Sequence, residues 1–511
     1  MNGPQLPSPS SPGLALGVVG CGTMGRGIAQ IAAQAGMPVR LLDARPGAAE
    51  EARRAVAEAF DRLASKGRLP APEAAAAAGR LATCRELAEL AGCQVVVEAI
   101  VEDLAAKQDL FRRLEAVVGP DCVLATNTSS LSVTAIAAGL ARPGRVAGFH
   151  FFNPVPLMRI VEVVGGLLTE EAVAVFLLEL GRRMGHAAVR AKDTPGFIVN
   201  HAGRGFGTEG LRILAEGVTG VEDLDRILRD TAGFRLGPCE LLDLTGLDVS
   251  HPVMESIYHQ FYEEPRFRPQ PLTRLMLSAG LLGRKTGRGF YAYPGGSQER
   301  TPEPPAPAAR PAAVWVSQAR PALAARAREL LHALGAALDE DPLPGPDSLC
   351  VVTPLGEDAT TLAVREGLDP ARTVALDALF PWDKRRVVMT TPVTGAGPRA
   401  AAHGLFAADG VPASVIRDSA GLVSQRVVAT IVNIACEIAQ QRIAAPADVD
   451  RAVTLGLGYP HGPLAWGDRL GAATVLEVLE NLHAGSGDPR YRPSPWLRRR
   501  ALLGVSLLAE E

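Results

Sequence analysis

The chain has 511 residues and a formal net charge of −3, and 47 % of its residues are hydrophobic and 21 % charged. A length well beyond one domain of ~100–200 residues predicts several domains. Because acidic and basic residues are interspersed, the sequence offers no broad basic surface for nucleic acid or an acidic membrane. The composition therefore favours a small-molecule site and excludes a nucleic-acid or membrane partner.

The cysteines and the N-terminal residues indicate the compartment. Seven cysteines are scattered without a CxxC pair, which favours a reducing environment over a disulfide framework or a zinc site. The start MNGPQLPSPSSPG has neither the basic nor the apolar region of a signal peptide, and no run of 18 apolar residues follows. We expect a soluble, cytoplasmic protein that binds no metal.

The first elements in chain order form a β-α-β unit. Residues 14–19 predict a short buried strand, residues 24–35 a helix, and PVRLLD the next strand. The apolar segments QVVVEAI, VLATNTS and VAGFHFF follow, separated by helical stretches rich in alanine and leucine. This alternation predicts an α/β fold, a doubly wound parallel sheet of the Rossmann type over residues 14–193.

The rest of the chain divides by composition. Residues 194–293 predict an all-α domain, and the proline-rich stretch 294–313 predicts an extended linker. Residues 314–417 indicate a small, degenerate α/β segment, and residues 418–500 a second all-α domain.

The second half repeats the first. A shift of 225 positions aligns Asp193 with Asp418 and Gly196 with Gly421, and further glycine, proline and aspartate pairs keep the same register. Such residues mark special backbone positions, so their coincidence indicates a duplicated fold. Between the linker and about residue 395 the alignment is less secure.

The turn GCGTMG predicts a dinucleotide site. Gly20, Gly22 and Gly25 permit a tight turn against a pyrophosphate at a helix N-terminus, with Thr23 and Met24 beside it. Asp43 follows 18 residues after Gly25, where a carboxylate binds ribose hydroxyls and repels the extra phosphate of NADP. The sequence predicts one NAD per chain; Arg45 leaves NADP open, and a ligand-free turn is the alternative.

Longer phrases resemble a known family. VVEAIVEDLAAKQ, TNTSSL, GFHFFNPVPLMRIVEVV, KDTPGFIVN, GPCELLDLTGLD and GRKTGRGFY, over residues 14–293, are similar to the NAD-dependent (S)-3-hydroxyacyl-CoA dehydrogenases of β-oxidation. The resemblance implies a base, His150, oriented by Glu162, with Ser129 and Asn200 as polar contacts to an acyl-CoA substrate. It also implies cofactor or substrate contacts from Glu102, Lys107, Asn127 and Asn153.

The chemistry of these side chains suits those roles. An imidazole titrates near neutral pH and can take a hydroxyl proton while hydride leaves for the nicotinamide, and a carboxylate fixes its tautomer. Ser129 and Asn200 could bind an alkoxide or a thioester carbonyl, or could instead cap a loop or helix. Lys66 is a candidate contact to a CoA phosphate, although an exposed lysine commonly meets only water.

The second half lacks these groups at the same shift. Pro354, Ala375, Val387 and Gln425 stand opposite Ser129, His150, Glu162 and Asn200. We therefore expect a catalytically silent duplicate whose helices pack on the first helical domain like a partner subunit, in an intrachain pseudo-dimer or a homodimer. Two independent domains on a flexible linker are the alternative.

The tandem arrangement, with DSAGLVSQR and LGLGYPHGPL, resembles bacterial dehydrogenases of phenylacetate catabolism, which implies 3-hydroxyadipyl-CoA as substrate. Arg204 lies four residues beyond Asn200, one turn away if the helix is regular, and is a candidate for the terminal carboxylate. The alternatives are a short-chain 3-hydroxybutyryl-CoA dehydrogenase, a non-CoA hydroxyacid dehydrogenase, and an NAD-binding structural protein.

Overall fold

The computed structural model describes residues 6–510, which form two compact units. The first unit contains the chain up to His201 together with Gln441–Leu457, and the second contains Ala202–Gln440 and the residues from Gly458 onward. A segment of the second half of the sequence therefore belongs to the same unit as the N-terminal sheet.

The first unit is built on an eight-stranded sheet. Its strands are β1 Leu16–Val19, β2 Val39–Leu42, β3 Leu81–Thr83, β4 Val95–Glu98, β5 Val123–Thr126, β6 Val146–Phe151, β7 Ile160–Gly165 and β8 Ala187–Lys192. The spatial order is β3-β2-β1-β4-β5-β6-β7-β8. Strands β1, β4 and β5 are buried along their whole length, which explains their continuous apolar runs.

The predicted doubly wound parallel sheet of the Rossmann type is confirmed, and the structure adds one antiparallel pair near its end. Strand β7 runs antiparallel to β6, and β8 runs parallel to β7. The connection between β6 and β7, residues 152–159, is too short for a parallel crossover, which needs about a dozen residues or more. The chain therefore returns beside β6, and residues of β6 and β7 stand directly opposite one another.

Helices cover this sheet. They are α1 Thr23–Gln34, α2 Ala48–Ser65, α3 Ala71–Gly79, α4 Leu104–Val117, α5 Val133–Ala137, α6 Glu171–Arg183, α7 Val199–Ala202 and, from the second half, α17 Pro446–Leu457. Helix α17 packs on β7 and β8, and the main-chain N–H of Lys192 donates to the carbonyl of Ile443. The apolar sides of α1 and α6 complete the core with β1, β4 and β6.

The second unit contains a smaller sheet and most of the remaining helices. Its strands are β9 Ala313–Val316, β10 Leu338–Asp339, β11 Ser348–Val352, β12 Thr373–Leu376, β13 Arg386–Thr390 and β14 Ala413–Ile416. Their order is β10-β9-β11-β12-β13-β14, antiparallel only between β12 and β13. The run β9-β11-β12-β13-β14 repeats the order and directions of β4-β5-β6-β7-β8. The strands β1, β2 and β3, which adjoin the glycine turn, have no such repeat among the strands of the second sheet.

The helices of the second unit extend the duplication. They are α8 Arg204–Ala215, α9 Val221–Ala232, α10 Pro238–Thr245, α11 Leu247–Gln260, α12 Pro271–Ser278, α13 Pro321–Ala333, α14 Ala359–Arg365, α15 Ala396–Phe406, α16 Ser424–Gln440, α18 Pro463–Leu470, α19 Ala472–Ser486 and α20 Pro495–Leu503. The shift of 225 carries α9 onto α17 and α10 onto α18. It also carries Asp193, which accepts the N–H groups of Val133 and Thr134, onto Asp418, which accepts those of Ala359 and Thr360.

The two helical repeats pack together inside the second unit. Helix α8 lies along α16, where a side chain at Gly205 would meet Ile431 and Ile434. The N–H of Arg417 donates to the carbonyl of Val218. At the shift of 225 these residues correspond to Lys192 and Ile443, which make the same contact in the first unit. Paired contacts of this kind are what a two-fold related dimer would make.

The linker is also fixed within the second unit. The carbonyl of Thr301 accepts from Arg226, and Glu303 forms ion pairs with Arg385 and Arg226. These contacts and the packing of α8 on α16 argue against the alternative of two independent domains on a flexible linker.

Across the described part of the chain, the helices are too short or too polar to span a bilayer.

Candidate functional site

The glycine turn joins β1 to α1 and leaves room where a phosphate would sit. Gly20 has a φ of +99°, and a Cβ there would lie 2.4 Å from the carbonyl oxygen of Ala99. A Cβ on Gly25 would lie 1.8 Å from the oxygen of Gly20, so both positions require glycine. At Gly22 a Cβ would meet nothing within 4 Å, and no side chain caps α1. The helix N-terminus therefore presents its N–H groups to open space, as pyrophosphate binding needs.

Asp43 fixes the other end of this site. One carboxylate oxygen accepts the N–H of Cys21 at 2.6 Å and the other accepts the N–H of Arg45 at 2.8 Å. The carboxylate thus stands at the end of β2 beside the turn, placed for ribose hydroxyls. The guanidinium of Arg45 is paired with Glu51 at 2.6 Å. The residues present fit NAD, and the arrangement gives no support to the NADP alternative.

His150 and Glu162 form a buried pair across β6 and β7. They are directly opposite in the sheet register, and Nδ1 of His150 lies 2.7 Å from Oε2 of Glu162. The other carboxylate oxygen accepts the N–H groups of Ile198 and Val199 at 2.9 Å each. Because a carboxylate only accepts, Nδ1 carries the hydrogen and Nε2 keeps its lone pair. The pair is arranged as a base with a fixed tautomer.

The loop after β5 is held by Glu102. One oxygen of Glu102 accepts from the hydroxyl of Thr128 at 2.7 Å and from the main-chain N–H groups of Ser129 and Ser130 at 2.9 and 3.1 Å. The hydroxyl of Ser129 is 3.4 Å from the same oxygen. Burial alone would raise the pKa of Glu102, but these hydrogen bonds and Lys107 hold that pKa below its usual range. The structure thus brings Glu102, Ser129 and Lys107 together.

Asn127 and Asn200 also lie in the first unit. The side-chain oxygen of Asn127 accepts the N–H of Phe151, so it fixes the end of β6 beside His150. Asn200 lies in α7, whose first residue, Val199, carries one of the two N–H groups that bind Glu162. Both residues are therefore carried by segments attached to the His150–Glu162 pair.

Lys66 and Asn153 line one cavity of about 610 Å³ in the first unit. Thr23 and Gly27 of α1 reach it from the nucleotide turn, and its apolar lining includes Val56. The remaining basic side chains that line it are Arg26, Arg62 and Arg68. A cationic rim over an apolar floor suits a long ligand with phosphates at one end.

Arg204 begins α8 in the second unit. Helix α7 ends at Ala202 and α8 begins at Arg204, and Gly203 between them has a helical backbone, with φ −65° and ψ −15°. The role of Arg204 toward the substrate stays a prediction. Burial lowers the pKa of Arg204 to about 10, which still leaves the guanidinium charged at neutral pH.

Several functional candidates were not predicted from sequence. Glu98, at the end of β4, is fully buried and forms an ion pair with Lys107 at 2.5 Å. Thr126 donates its hydroxyl to Glu98, and Thr128 and Ser130 donate to Glu102. The available signal was an acidic residue at the end of a wholly apolar strand, since such a carboxylate requires a buried partner.

The register of the second sheet corrects one predicted equivalence. Ala375 pairs with Met389 and Leu376 with Val388, so the residue opposite Val387 is Asp377, whose N–H donates to the Val387 carbonyl. Asp377, rather than Ala375, therefore occupies the place of His150, because ten positions separate Asp377 from Val387 whereas twelve separate His150 from Glu162. A single shift along the sequence does not allow for those two missing residues.

Asp377 is enclosed by its own neighbours. The side-chain amide of Gln425 donates to Asp377 at 2.9 Å and to the carbonyl of Pro354 at 3.0 Å, and its oxygen accepts the N–H of Gly356. Burial raises the pKa of Asp377 to about 6. With valine in place of Glu162 and no imidazole, this position cannot work as the base described for His150.

The raised pKa predicts a pH-dependent stability. Protonated Asp377 favours the folded state below about pH 4, and that contribution is lost as the pH rises through about 6. Asp377→Asn mimics the protonated acid, so we expect its gain in the free energy of unfolding to be larger at pH 8 than at pH 4.5 by on the order of 2 kcal/mol, and its gain in unfolding midpoint temperature to be larger as well. Thermal unfolding at both pH values tests this. Asp347→Asn, at an exposed carboxylate, is the control, and an equal gain at both pH values would contradict the assignment.

Comparison with known proteins gives consistent matches. Residues 15–194 match the family described as 3-hydroxyacyl-CoA dehydrogenase, NAD binding domain. Residues 196–293 and again 421–506 match 3-hydroxyacyl-CoA dehydrogenase, C-terminal domain. The second of the two C-terminal-domain matches, residues 421–506, lies in the half of the chain that the sequence predicts to be a duplicate.

Individual relatives match over different lengths. The chain is 37 % identical to 3-hydroxyadipyl-CoA dehydrogenase of Escherichia coli K12 over 95 % of this chain and 97 % of that protein. It is 41 % identical to a probable 3-hydroxybutyryl-CoA dehydrogenase of Bacillus subtilis, over 54 % of this chain and 96 % of that protein. A crystal structure described as 3-hydroxybutyryl-CoA dehydrogenase from Escherichia coli K12 aligns with a TM-score of 0.84 at 35 % identity, covering 96 % of this chain and 98 % of the other.

Proposed function

The chain belongs to the 3-hydroxyacyl-CoA dehydrogenase family, and on that premise we propose that it oxidises 3-hydroxyadipyl-CoA to the 3-oxo thioester with NAD. The observation that carries the chemistry is the buried hydrogen bond between His150 and Glu162, on the neighbouring strands β6 and β7 of the nucleotide-binding sheet. The observation that favours this acyl group is the full-length match to a 3-hydroxyadipyl-CoA dehydrogenase, second half included.

In the proposed reaction, Nε2 of His150 takes the proton of the 3-hydroxyl. The hydrogen on C3 leaves with its electron pair, the C–O bond becomes a carbonyl, and the nicotinamide of bound NAD supplies the hydride acceptor. Glu162 stabilises the imidazolium that results, since its carboxylate holds Nδ1–H at 2.7 Å. In the reverse direction the same imidazolium returns the proton.

The charge distribution of the pair supports this role. Oxidation removes a positive charge from the nicotinamide and places one on His150, next to the ionised Glu162. Two main-chain N–H groups already fix Glu162, so its carboxylate need not reorient as the charge appears. Ser129 and Asn200 are proposed to bind the reacting oxygen or the thioester carbonyl.

The cavity lined by Lys66 is the proposed site of the CoA moiety. Its basic rim suits the phosphates, and its apolar floor suits the pantetheine chain. Asn153, on the loop that follows β6, lies on the same cavity and is proposed to bind the chain near its thioester end. The cavity also reaches Thr23 at the start of α1.

The second half is proposed to act as a built-in partner subunit. The packing of α8 on α16 and the matched contacts of Val218 and Ile443 support an intrachain pseudo-dimer. The enclosed Asp377 and the short sheet without a glycine turn support a catalytically silent copy.

The short-chain alternative, 3-hydroxybutyryl-CoA, is favoured by the Escherichia coli crystal structure described as a 3-hydroxybutyryl-CoA dehydrogenase and by the Bacillus subtilis relative that matches half of the chain. An adipyl group differs from it by a terminal carboxylate, and Arg204 is the proposed partner of that carboxylate. Its guanidinium is charged at neutral pH, and an arginine can bind a carboxylate through two parallel hydrogen bonds.

The test compares NAD-dependent oxidation of both thioesters by the purified full-length protein. We expect a higher kcat/KM for 3-hydroxyadipyl-CoA, and Arg204→Ala should lower that value about 10- to 100-fold, while the value for 3-hydroxybutyryl-CoA changes less than about threefold. Arg268→Ala, at an exposed arginine of the same unit, is the matched control. Equal losses for both substrates would remove Arg204 from specificity, and a preference for the butyryl ester would refute the adipyl assignment.

A further inference from the structure

The first unit contains a buried group of charges that the proton and hydride transfers do not use. Lys107 of α4 lies 2.5 Å from Glu98 and 3.3 Å from Glu102. Glu98 and Lys107 are 0 % and 1 % exposed, whereas the side chain of Glu102 is 37 % exposed. Two carboxylates around one ammonium give this group a net charge of −1.

Each oxygen of Glu98 is engaged. One accepts from Lys107 and from the N–H of Ile100 at 2.7 Å, and the other accepts the hydroxyl of Thr126 at 2.6 Å. Burying an ion pair costs several kcal/mol per ion, and an apolar pair of the same volume would often be no less stable. The excess carboxylate therefore points to a role beyond stability.

The position of the group follows from the order of the strands. The sheet changes direction of winding between β1 and β4, and a dinucleotide crosses the carboxyl ends of the strands at such a point. Asp43, at the end of β2, marks the adenosine side. On the other side of that point, the ends of β4, β5 and β6 carry Glu98, Thr126 and His150, and these ends would face the nicotinamide of a bound dinucleotide.

The oxidised and reduced cofactors differ there by one charge. The nicotinamide ring is a cation in NAD and neutral in NADH, so a nearby net negative charge stabilises the oxidised form more than the reduced form. If Glu98 carried no charge, Glu102 would balance Lys107 and the group would be neutral.

We propose that Glu98 is a positioning residue that holds Lys107 against Glu102 and supplies the negative charge that favours binding of oxidised over reduced cofactor. The inference rests on the proposed NAD-dependent reaction. Through Glu102, the same contacts fix the N–H groups of Ser129 and Ser130, so Glu98 also supports the loop that presents Ser129. Glu98 itself is not expected to touch the substrate.

The experiment measures Kd for NAD and for NADH separately, without acyl-CoA, by calorimetry on the full-length protein. Glu98→Gln keeps the shape and removes the charge, and we expect it to weaken NAD binding about three- to tenfold while changing NADH binding less than about twofold. Asp109→Asn, on the exposed face of α4, controls for a distant lost charge.

The possible outcomes distinguish a failure of the role proposed for Glu98 from a failure of the proposed NAD-dependent function. An unchanged ratio in Glu98→Gln, or an equal loss of both affinities, would overturn the charge role of Glu98. Glu102→Gln removes the other carboxylate and should shift the ratio in the same direction, which keeps the test open if Glu98→Gln does not fold. If the unmodified protein binds neither dinucleotide, the proposed function itself fails.

Discussion

Replacing His150 by glutamine is expected to lower kcat for hydroxyacyl-CoA oxidation by a factor of about 10²–10⁴, because a positioned general base contributes about that much. Glutamine keeps a polar side chain of similar reach but cannot take the hydroxyl proton. The Kd for NAD should change less than about threefold, since Nδ1 faces Glu162 and not the glycine turn. Steady-state rates from NADH absorbance, with NAD titrations beside them, test both statements.

Two further variants keep this test specific. Glu162→Gln should also reduce kcat with little change in KM, because an amide donor opposite Nδ1 favours the wrong imidazole tautomer. His483→Gln, at an exposed histidine, should leave kcat unchanged. Retention of most of the activity in His150→Gln would contradict the assignment of the base.

Replacing Glu209 by alanine is expected to destabilise the second unit by about 3–5 kcal/mol. Glu209 is 1 % exposed on α8 and binds the guanidinium groups of Arg426 and Arg490 and, at 2.6 Å, the hydroxyl of Tyr491. Removing it leaves two buried cations without this shared carboxylate. All four tryptophans of the chain, Trp315, Trp382, Trp466 and Trp496, belong to the second unit. Urea unfolding followed by tryptophan fluorescence therefore reports on this unit.

The effect should depend on pH in a defined direction. Burial alone would raise the pKa of Glu209, but Arg426 and Arg490 hold that pKa below its usual range. Its stabilisation is thus present above about pH 4 and lost as the pH falls through the lowered value, so the difference from the alanine variant should narrow in acid. Glu480→Ala, which breaks an exposed pair with Arg498, should cost less than about 1 kcal/mol. A similar small loss for Glu209→Ala would show that the buried network does not stabilise the unit.

The first half of the fold and the pairing of His150 with Glu162 could be predicted from sequence because they depend on local patterns. A glycine turn after an apolar strand, an acid at the end of the next strand, and the phrases around His150 and Glu162 each concern residues close along the chain. The structure places His150 opposite Glu162 through the short return from β6 to β7, which is itself a local feature.

Long-range pairing could not be predicted in the same way. The antiparallel direction of β7, the place of Asp377 opposite Val387, and the membership of α17 in the first unit depend on loop lengths and strand register. A uniform shift of 225 aligns the two halves only where neither has gained or lost residues, and the segment from Asp377 to Val387 is two residues shorter than that from His150 to Glu162.

The sequence by itself determined the family, the glycine turn, the candidate reacting side chains and the duplication, because these are recorded in residue types at fixed spacing. Only the tertiary structure decided that Glu98 joins Lys107 and Glu102, that Lys66 and Asn153 share a cavity, and that Glu209 binds Arg426 and Arg490. These contacts join segments far apart in sequence. A buried charge shows its need for a partner in the sequence, but packing alone selects which partner it finds.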